Sequence, residues 1–216
     1  MAANDRDTAS AVPYELLMSI QKGTMEYRYR GVSMLKNPFD IALYPLLLEE
    51  LRPRTLIEIG SHKGGSAMWF ADLAARLGFP MAVYSVDLAK VADVIEEEIT
   101  FLQGDARKLG DVLDDRVLGG LAHPWLVVED SDHQYQTTLA VLRFFDRWLS
   151  AGDYIVVEDG ILSDMRAADT YDGGPERAIR TFLGKYGARY SIDRRYCDYF
   201  GRNVTWNVNG YIRCER

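Results

Sequence analysis

Short apolar runs alternate with amphipathic stretches along most of the chain. Residues 1–12 are polar and small with no periodicity, the pattern of a disordered leader. From Tyr14 to about Arg30, the apolar positions Leu16, Leu17, Ile20 and Met25 predict a short amphipathic helix. "FDIALYPLLLEEL" predicts a second helix, kinked or divided at Pro45. Then "RTLIEIG", "MAVYSVD", "ITFLQGDA", "PWLVVED" and "DYIVVEDG" read as strands. The helical patterns between them are "GGSAMWFADLAARLG" with Gly78 as its cap, the acidic "VADVIEEE", "LGDVLDDRVL" and the long "HQYQTTLAVLRFFDRWLS". The strand runs are apolar throughout, as in sheets covered on both faces. This alternation predicts an α/β fold, a doubly wound and mostly parallel sheet with helices on both faces. "DGGPERAIRTFLGKYG" is a further helix, and "ARYSIDRRY" and "TWNVNGYIRC" close the chain as an antiparallel pair. Without repeats or a linker, residues 31–216 read as one domain behind a leader of residues 1–30.

Composition narrows the partners. A net charge of −7 argues against nucleic acid, which requires a clustered basic surface. No apolar run approaches the roughly 20 residues that span a bilayer, and "MAANDRDTAS" lacks the basic and apolar regions of a signal peptide. Cys197 and Cys214 have neither metal-knuckle spacing nor the number for a disulfide framework, so they read as reduced. The expectation is a cytoplasmic protein without a membrane partner, its N-terminal helices offering a surface for a homo-oligomer.

Ligands of open parallel sheets bind outside the carboxyl ends of the strands. Here each of the five strand runs finishes in acid: Glu58, Asp87, Asp105, the cluster Glu129, Asp130 and Asp132, and Glu158-Asp159. After Glu58, "GSHKGGS" supplies Gly60, Ser61, Gly64, Gly65 and Ser66 at a strand-to-helix turn, where free N–H groups can meet an anionic group. A tight turn with no ligand is the alternative. Asp87 is placed to accept ribose hydroxyls, and "QGDA", with Asp105 and Ala106, lies within reach of an adenine edge. The stretch "EDSDH" sets three carboxylates beside His133, and such charges repel unless a cation joins them.

This order of glycines and acids resembles class I S-adenosylmethionine-dependent methyltransferases, whose fold is a Rossmann-like seven-stranded sheet with an antiparallel last strand. Asp132-His133 and Glu158-Asp159 resemble the metal positions of catechol-type O-methyltransferases. From about Arg30 onward, "GVSMLKNPFD", "IEIGSHKGGSAMWFA", "DSDHQYQTTLAVL", "GDYIVVEDG", "GGPERAIRTFL" and "NVNGYIR" resemble the cephalosporin hydroxylase / rhamnosyl O-methyltransferase family. The resemblance implies S-adenosylmethionine as methyl donor, held by Glu58, Gly60, Ser61, Gly64, Gly65, Ser66, Asp87, Asp105, Ala106 and Asp130. It implies Mg²⁺ or another divalent cation on Asp132, Glu158 and Asp159, and a small hydroxylated acceptor such as a sugar, catechol or other vicinal diol. N-methylation, and a non-catalytic subunit supporting a partner hydroxylase, are the competing functions.

Catechol-type enzymes, and many members of the family it resembles, carry a base Lys three residues after the metal Asp; this chain has Tyr135. Asp132 and His133 are therefore the expected catalytic pair, with His133 replacing the base. The alternative gives His133 only a hydrogen bond to backbone or to another carboxylate. His62 and Lys63 read equally as cofactor contacts or as solvent-facing, and Lys36-Asn37 as a cofactor cover or a helix cap. His123 reads as a surface loop residue, and Phe70, Phe144, Phe145 and Trp148 as core. Tyr171, Tyr196, Tyr199 and Phe200 are candidates for an aromatic substrate wall.

Overall fold

A computed structural model describes residues 6–91, 94, 96 and 98–216. The helix expected over "VADVIEEE" includes residues 92, 93, 95 and 97, which lie outside the described set.

The chain opens with α1 (Tyr14–Glu26), a hairpin of β1 (Arg28–Tyr29) and β2 (Val32–Ser33), and α2 (Pro38–Leu51). The alternating region follows: β3 (Thr55–Ile59), α3 (Gly65–Leu77), β4 (Ala82–Asp87), β5 (Ile99–Gln103), α4 (Asp115–Leu118), β6 (Trp125–Glu129), α5 (Tyr135–Phe145) and β7 (Tyr154–Val157). It closes with α6 (Gly174–Tyr186), β8 (Tyr190–Ile192), α7 (Arg194–Cys197) and β9 (Tyr211–Cys214). The seven-stranded sheet has the order β5-β4-β3-β6-β7-β9-β8. All pairs are parallel except those of β9, which runs antiparallel to both β7 and β8. The class I methyltransferase architecture expected from the sequence is the one observed.

Register explains why the strand ends matter. Thr55–Ile59 of β3 lie opposite Ala82–Val86 on one side and Trp125–Glu129 on the other. The chain leaves β3 toward β4 and returns on the far side as β6, so a crevice opens between their carboxyl ends. Both faces of the sheet are covered, which is why these strands lack polar alternation. Ile57, Val127, Ile155 and Ile212 pack with Leu139, Leu142, Phe145 and Phe182 of α5 and α6. Leu56, Leu126, Val156 and Tyr211 pack with Leu43, Tyr44, Leu47 and Phe70 of α2 and α3. Phe70 and Phe145 are fully buried; Phe144 and Trp148 pack partly buried against the core.

Several local expectations change. Helix α2 runs through Pro45 undivided, because burial of Leu43, Tyr44, Leu47 and Leu48 outweighs one lost backbone hydrogen bond. The stretch after Met25 turns back as the β1–β2 hairpin through Arg30 and Gly31, both at positive φ. Residues 109–118 divide into a 3₁₀ turn ending at Asp111 and the short α4, which Asp114 caps through its side chain. Residues 6–12 are tied down: Ala11 donates its N–H to Arg202 O at 2.9 Å, Ser10 Oγ donates to Asn203 O at 2.8 Å, and Arg6 pairs with Asp198, Asn203 and Asn209. A polar leader can order without an apolar periodicity when its donors find fixed acceptors. His123 is also engaged, with Nδ1 2.8 Å from buried Asp153 and its ring stacked on Trp125. Both cysteines are free and buried. Among the described residues, no helix is long and apolar enough to cross a membrane.

Candidate active site

A cavity of about 630 Å³ lies over the carboxyl ends of β3, β4, β5, β6 and β7. One half is the glycine turn and its neighbours. Gly60 has φ +110°, and a Cβ there would stand 1.9 Å from Asp130 O, so only glycine lets the chain leaving β3 pass this close to the chain leaving β6. A Cβ on Gly65 would stand 2.3 Å from Ser33 O, while Gly64 takes a left-handed conformation to cap α3. Gly64 and Gly65 shape the turn from beneath; Gly60, Ser61 and Ser66 line the cavity.

Glu58 is buried below that floor. Its Oε2 accepts from Ser85 Oγ, which lies 2.6 Å from Ser61 Oγ; its Oε1 has no hydrogen-bond partner among the described residues. Burial pushes the Glu58 carboxyl above its ordinary range, opposed by the charge of Lys36. Asp87 lines the wall and accepts the backbone N–H groups of His62 and Ala89, both at 2.8 Å. Asp105 and Ala106 line the next stretch. Asp105 is gripped by both ends of the Arg107 guanidinium, which holds its carboxyl down at about 2. His62 and Lys63 also face the cavity.

The other half gathers the charge. Asp130, His133 and Asp159 bring ligand atoms within 4.8 Å of one another. His133 Nε2 is 3.3 Å from Asp159 Oδ2. Burial disfavours the imidazolium, but Asp159, Asp130 and Glu129 outweigh it and raise the His133 pKa above its ordinary value. Burial, reinforced by Asp130, pushes Asp159 up to about 6 against the pull of His133. Both His133 and Asp159 have positive φ, which aims their side chains from the strand ends.

Asp132 also lines the cavity, but both oxygens have internal donors. Oδ1 accepts Gln134 N–H and Oδ2 accepts Thr137 Oγ1, each at 3.0 Å, so Asp132 braces the start of α5. Glu158 lies behind the cavity wall and is buried: Tyr44 OH donates to Oε1 and Lys36 Nζ to Oε2, the latter at 2.7 Å. Lys36 itself is 2% exposed and also reaches Asp130 Oδ2 at 2.5 Å. Burial works against the ammonium, but Asp130 and Glu158 overcome it and keep Lys36 charged. Glu129 is buried under the hydroxyls of Ser131 and Thr138, and burial pushes it up to about 7. Tyr135 is covered by the Arg177 guanidinium, 3.9 Å above its ring, and does not face the cavity.

Position in the sequence therefore identifies the rim but not every facing group. Of the aromatic candidates, Tyr171 lines the cavity against His133, Tyr196 is packed in the core, and Tyr199 and Phe200 are exposed away from it. Trp206 is a further aromatic residue at the cavity, in the loop before β9. Its Nε1 donates to Gln21 Oε1 at 2.8 Å, and its N–H donates to Asp40 Oδ2 at 3.0 Å. Asp40, wholly buried, also accepts from Thr205, Asn37 and Tyr211. The available signal is the polar run "NVTWNVNG", which would be costly to bury without a partner such as Asp40. With Met25, Leu162 and Met165, Trp206 adds apolar surface to the cavity lining, although Trp206 is itself almost wholly buried against Leu17, Ile161 and Val208.

The donor set is rich in carboxylate oxygen, which suits a hard divalent cation better than a soft one. The orphaned Glu58 oxygen and the glycine turn suit a polar ligand laid across the other half.

A profile of the family described as rhamnosyl O-methyltransferase/CmcI matches residues 21–215. The rhamnosyl O-methyltransferase of Mycobacterium leprae is 31% identical over 189 residues, covering 85% of this chain and 81% of that protein. The rhamnosyl O-methyltransferase of Mycobacterium bovis BCG is 29% identical over 190 residues, covering 85% and 76%. Among solved structures, apo CmcI matches with a TM-score of 0.71 at 30% identity, covering 89% of this chain and 77% of that one. A Mg-SAM form of CmcI matches with a TM-score of 0.66 at 29% identity, covering 89% and 78%.

Proposed function

The chain belongs to the rhamnosyl O-methyltransferase/CmcI family and is an O-methyltransferase of the class I fold, and from that premise we propose how its cavity works. It takes a methyl group from S-adenosylmethionine and delivers it to a hydroxyl of a small acceptor, a sugar in preference to a catechol. The observation that carries this is the joining, in one cavity, of the glycine-and-acid half with the acid-and-imidazole half.

The glycine half holds the donor. Ser61 and Ser66 lie at the turn that opens α3, where backbone N–H groups and hydroxyls meet the amino-acid end. Asp87 faces the ribose, and Asp105 with Ala106 faces the base. The acid half receives the acceptor hydroxyl, with Tyr171 as an aromatic face against a sugar ring and the buried Trp206 at the cavity edge. A divalent cation would be held by Asp159 with Asp130 and Asp132, the three acids that line this half of the cavity; Glu158 would join them on release from Lys36. Bound there, Mg²⁺ supplies Lewis acidity that lowers the pKa of the acceptor hydroxyl.

His133 stands beside this oxygen set rather than in it, since Mg²⁺ favours oxygen over imidazole. Its imidazole in the neutral form accepts the hydroxyl proton as the C–O bond forms and the methyl C–S bond breaks. The product side is a methyl ether and S-adenosylhomocysteine, with the proton on His133. Asp159, at 3.3 Å, stabilises the imidazolium so produced. The remaining acceleration comes from holding oxygen and methyl carbon in line.

Calorimetric titration with S-adenosylmethionine tests the donor half. One-to-one binding that is weakened in D87A supports the reading; a folded chain giving no binding heat and no competition by S-adenosylhomocysteine contradicts it.

A further inference from the structure

Lys36 is the feature that the methyl-transfer reading leaves unused. Its ammonium sits between two carboxylates, 2.5 Å from Asp130 Oδ2 and 2.7 Å from Glu158 Oε2, and it is 2% exposed. The backbone beneath it is fixed. Asn37 Oδ1 accepts the N–H groups of Phe39 and Asp40 at 3.0 and 3.1 Å, and Asp40 is bonded in turn to Thr205, Trp206 and Tyr211. Lys36 is thus a cation held on a rigid mount.

We infer that Lys36 is a tethered competitor of the divalent cation: its ammonium and the metal draw on the same carboxylates, so Lys36 sets the metal affinity of the site. The inference rests on the metal reading above and concerns only residues of this chain. Asp130 belongs both to the convergent group with His133 and Asp159 and to the Lys36 pair. Glu158 has one oxygen under Tyr44 and the other under Lys36, so its offering an oxygen to a metal means displacing a hydrogen-bond donor. A positive charge fixed this close to a second cation repels it, and the low polarity of the surroundings magnifies the effect.

The sign of the effect separates competition from support. A lysine that merely orients Asp130 and Glu158 would, on removal, leave the metal bound more weakly. A competing lysine leaves it bound more tightly, because two carboxylates then lack a counter-charge.

The test is Mn²⁺ titration of the full chain, followed by electron paramagnetic resonance of free Mn²⁺, in wild type, K36M and K36R. The expected result is Mn²⁺ affinity about tenfold or more higher in K36M, with charge-conserving K36R within about threefold of wild type. Unchanged or weaker binding in a K36M chain with a native circular dichroism spectrum overturns the inference while leaving the metal reading intact. Absence of Mn²⁺ binding in both wild type and K36M overturns the two together. If K36M does not fold, the wild-type chain decides through acetic anhydride labelling of Lys36, read by peptide mass spectrometry. Faster labelling with Mn²⁺ than without it supports displacement of the ammonium; unchanged or slower labelling overturns it.

Discussion

His133 Nε2 lies 3.3 Å from Asp159 Oδ2, joining the carboxyl ends of β6 and β7 across the cavity. The pair links the proposed base to the acid that both steadies it and faces the metal position. H133A is expected to lower kcat by roughly 10²- to 10⁴-fold while S-adenosylmethionine binding stays within about twofold. Steady-state kinetics beside calorimetry checks the split. An H133A enzyme with wild-type kcat removes the base and leaves cation activation alone.

Asp159 should carry the divalent-cation dependence. D159N is expected to abolish Mg²⁺-stimulated methyl transfer and to reduce Mn²⁺ affinity by roughly tenfold or more, while donor binding persists. Equal Mn²⁺ titrations for D159N and wild type would place the cation elsewhere.

Trp206 should govern the acceptor rather than the donor. It lies at the cavity edge in the loop before β9, almost wholly buried, and is latched to α1 through Gln21. W206A is expected to raise the acceptor KM by roughly 10- to 30-fold, the scale of a buried aromatic contact, with donor affinity unchanged. Q21A should shift KM in the same direction by less, since it removes the latch but keeps the ring. A W206A chain that loses donor binding instead would assign Trp206 to the other half of the cavity.

Gly60 should be intolerant of any side chain. With φ +110° and Asp130 O only 1.9 Å from the Cβ position, G60A must move the β3 or β6 end. Urea unfolding is expected to show a loss of about 3 kcal/mol or more, a size tied to backbone strain plus overlap. A neutral G60A would mean that the close approach of these strand ends is looser than described.

Asp193 provides a pH-dependent stability signature away from the site. It accepts Arg195 N–H at 3.0 Å at the start of α7, the Arg195 guanidinium at 2.7 Å and Tyr154 OH at 2.9 Å. Burial pushes its pKa up, but these donors outweigh it and leave the carboxyl below its ordinary value. A depressed carboxylate contributes stability fully above its unfolded value, near about 4, and that stability is lost as pH falls through the folded value. D193A should therefore cost about 1 kcal/mol at pH 7. The part due to ionisation should vanish once both states are protonated in acid. Chemical denaturation of both chains at several pH values checks this; a gap that widens in acid has the wrong sign.

The fold was legible because its signals are local: buried strand runs, helices between them, and acids where each strand leaves the core. The aromatic lining was less so. Tyr171 shows itself as an aromatic in an irregular segment, but Trp206 reaches the cavity only because Asp40, far away in sequence, anchors its loop. The acids show the same limit. The family resemblance implies Asp132 and Glu158 as ligands, and only the fold shows which other donors their oxygens also meet. Gln134 and Thr137 serve Asp132, while Lys36 and Tyr44, brought in by the segment before β3, serve Glu158. Tyr135 stands where relatives carry the base Lys, and the fold places the Arg177 guanidinium over its ring.

The most direct measurement is transfer of a labelled methyl group from S-adenosylmethionine into a panel of rhamnosides, other glycosides and catechols, with Mg²⁺ and with chelator. The account predicts label in a glycoside hydroxyl, strongly reduced by chelation and in both H133A and D159N. Transfer to nitrogen acceptors alone, or full transfer to glycosides in D159N under chelation, would contradict it.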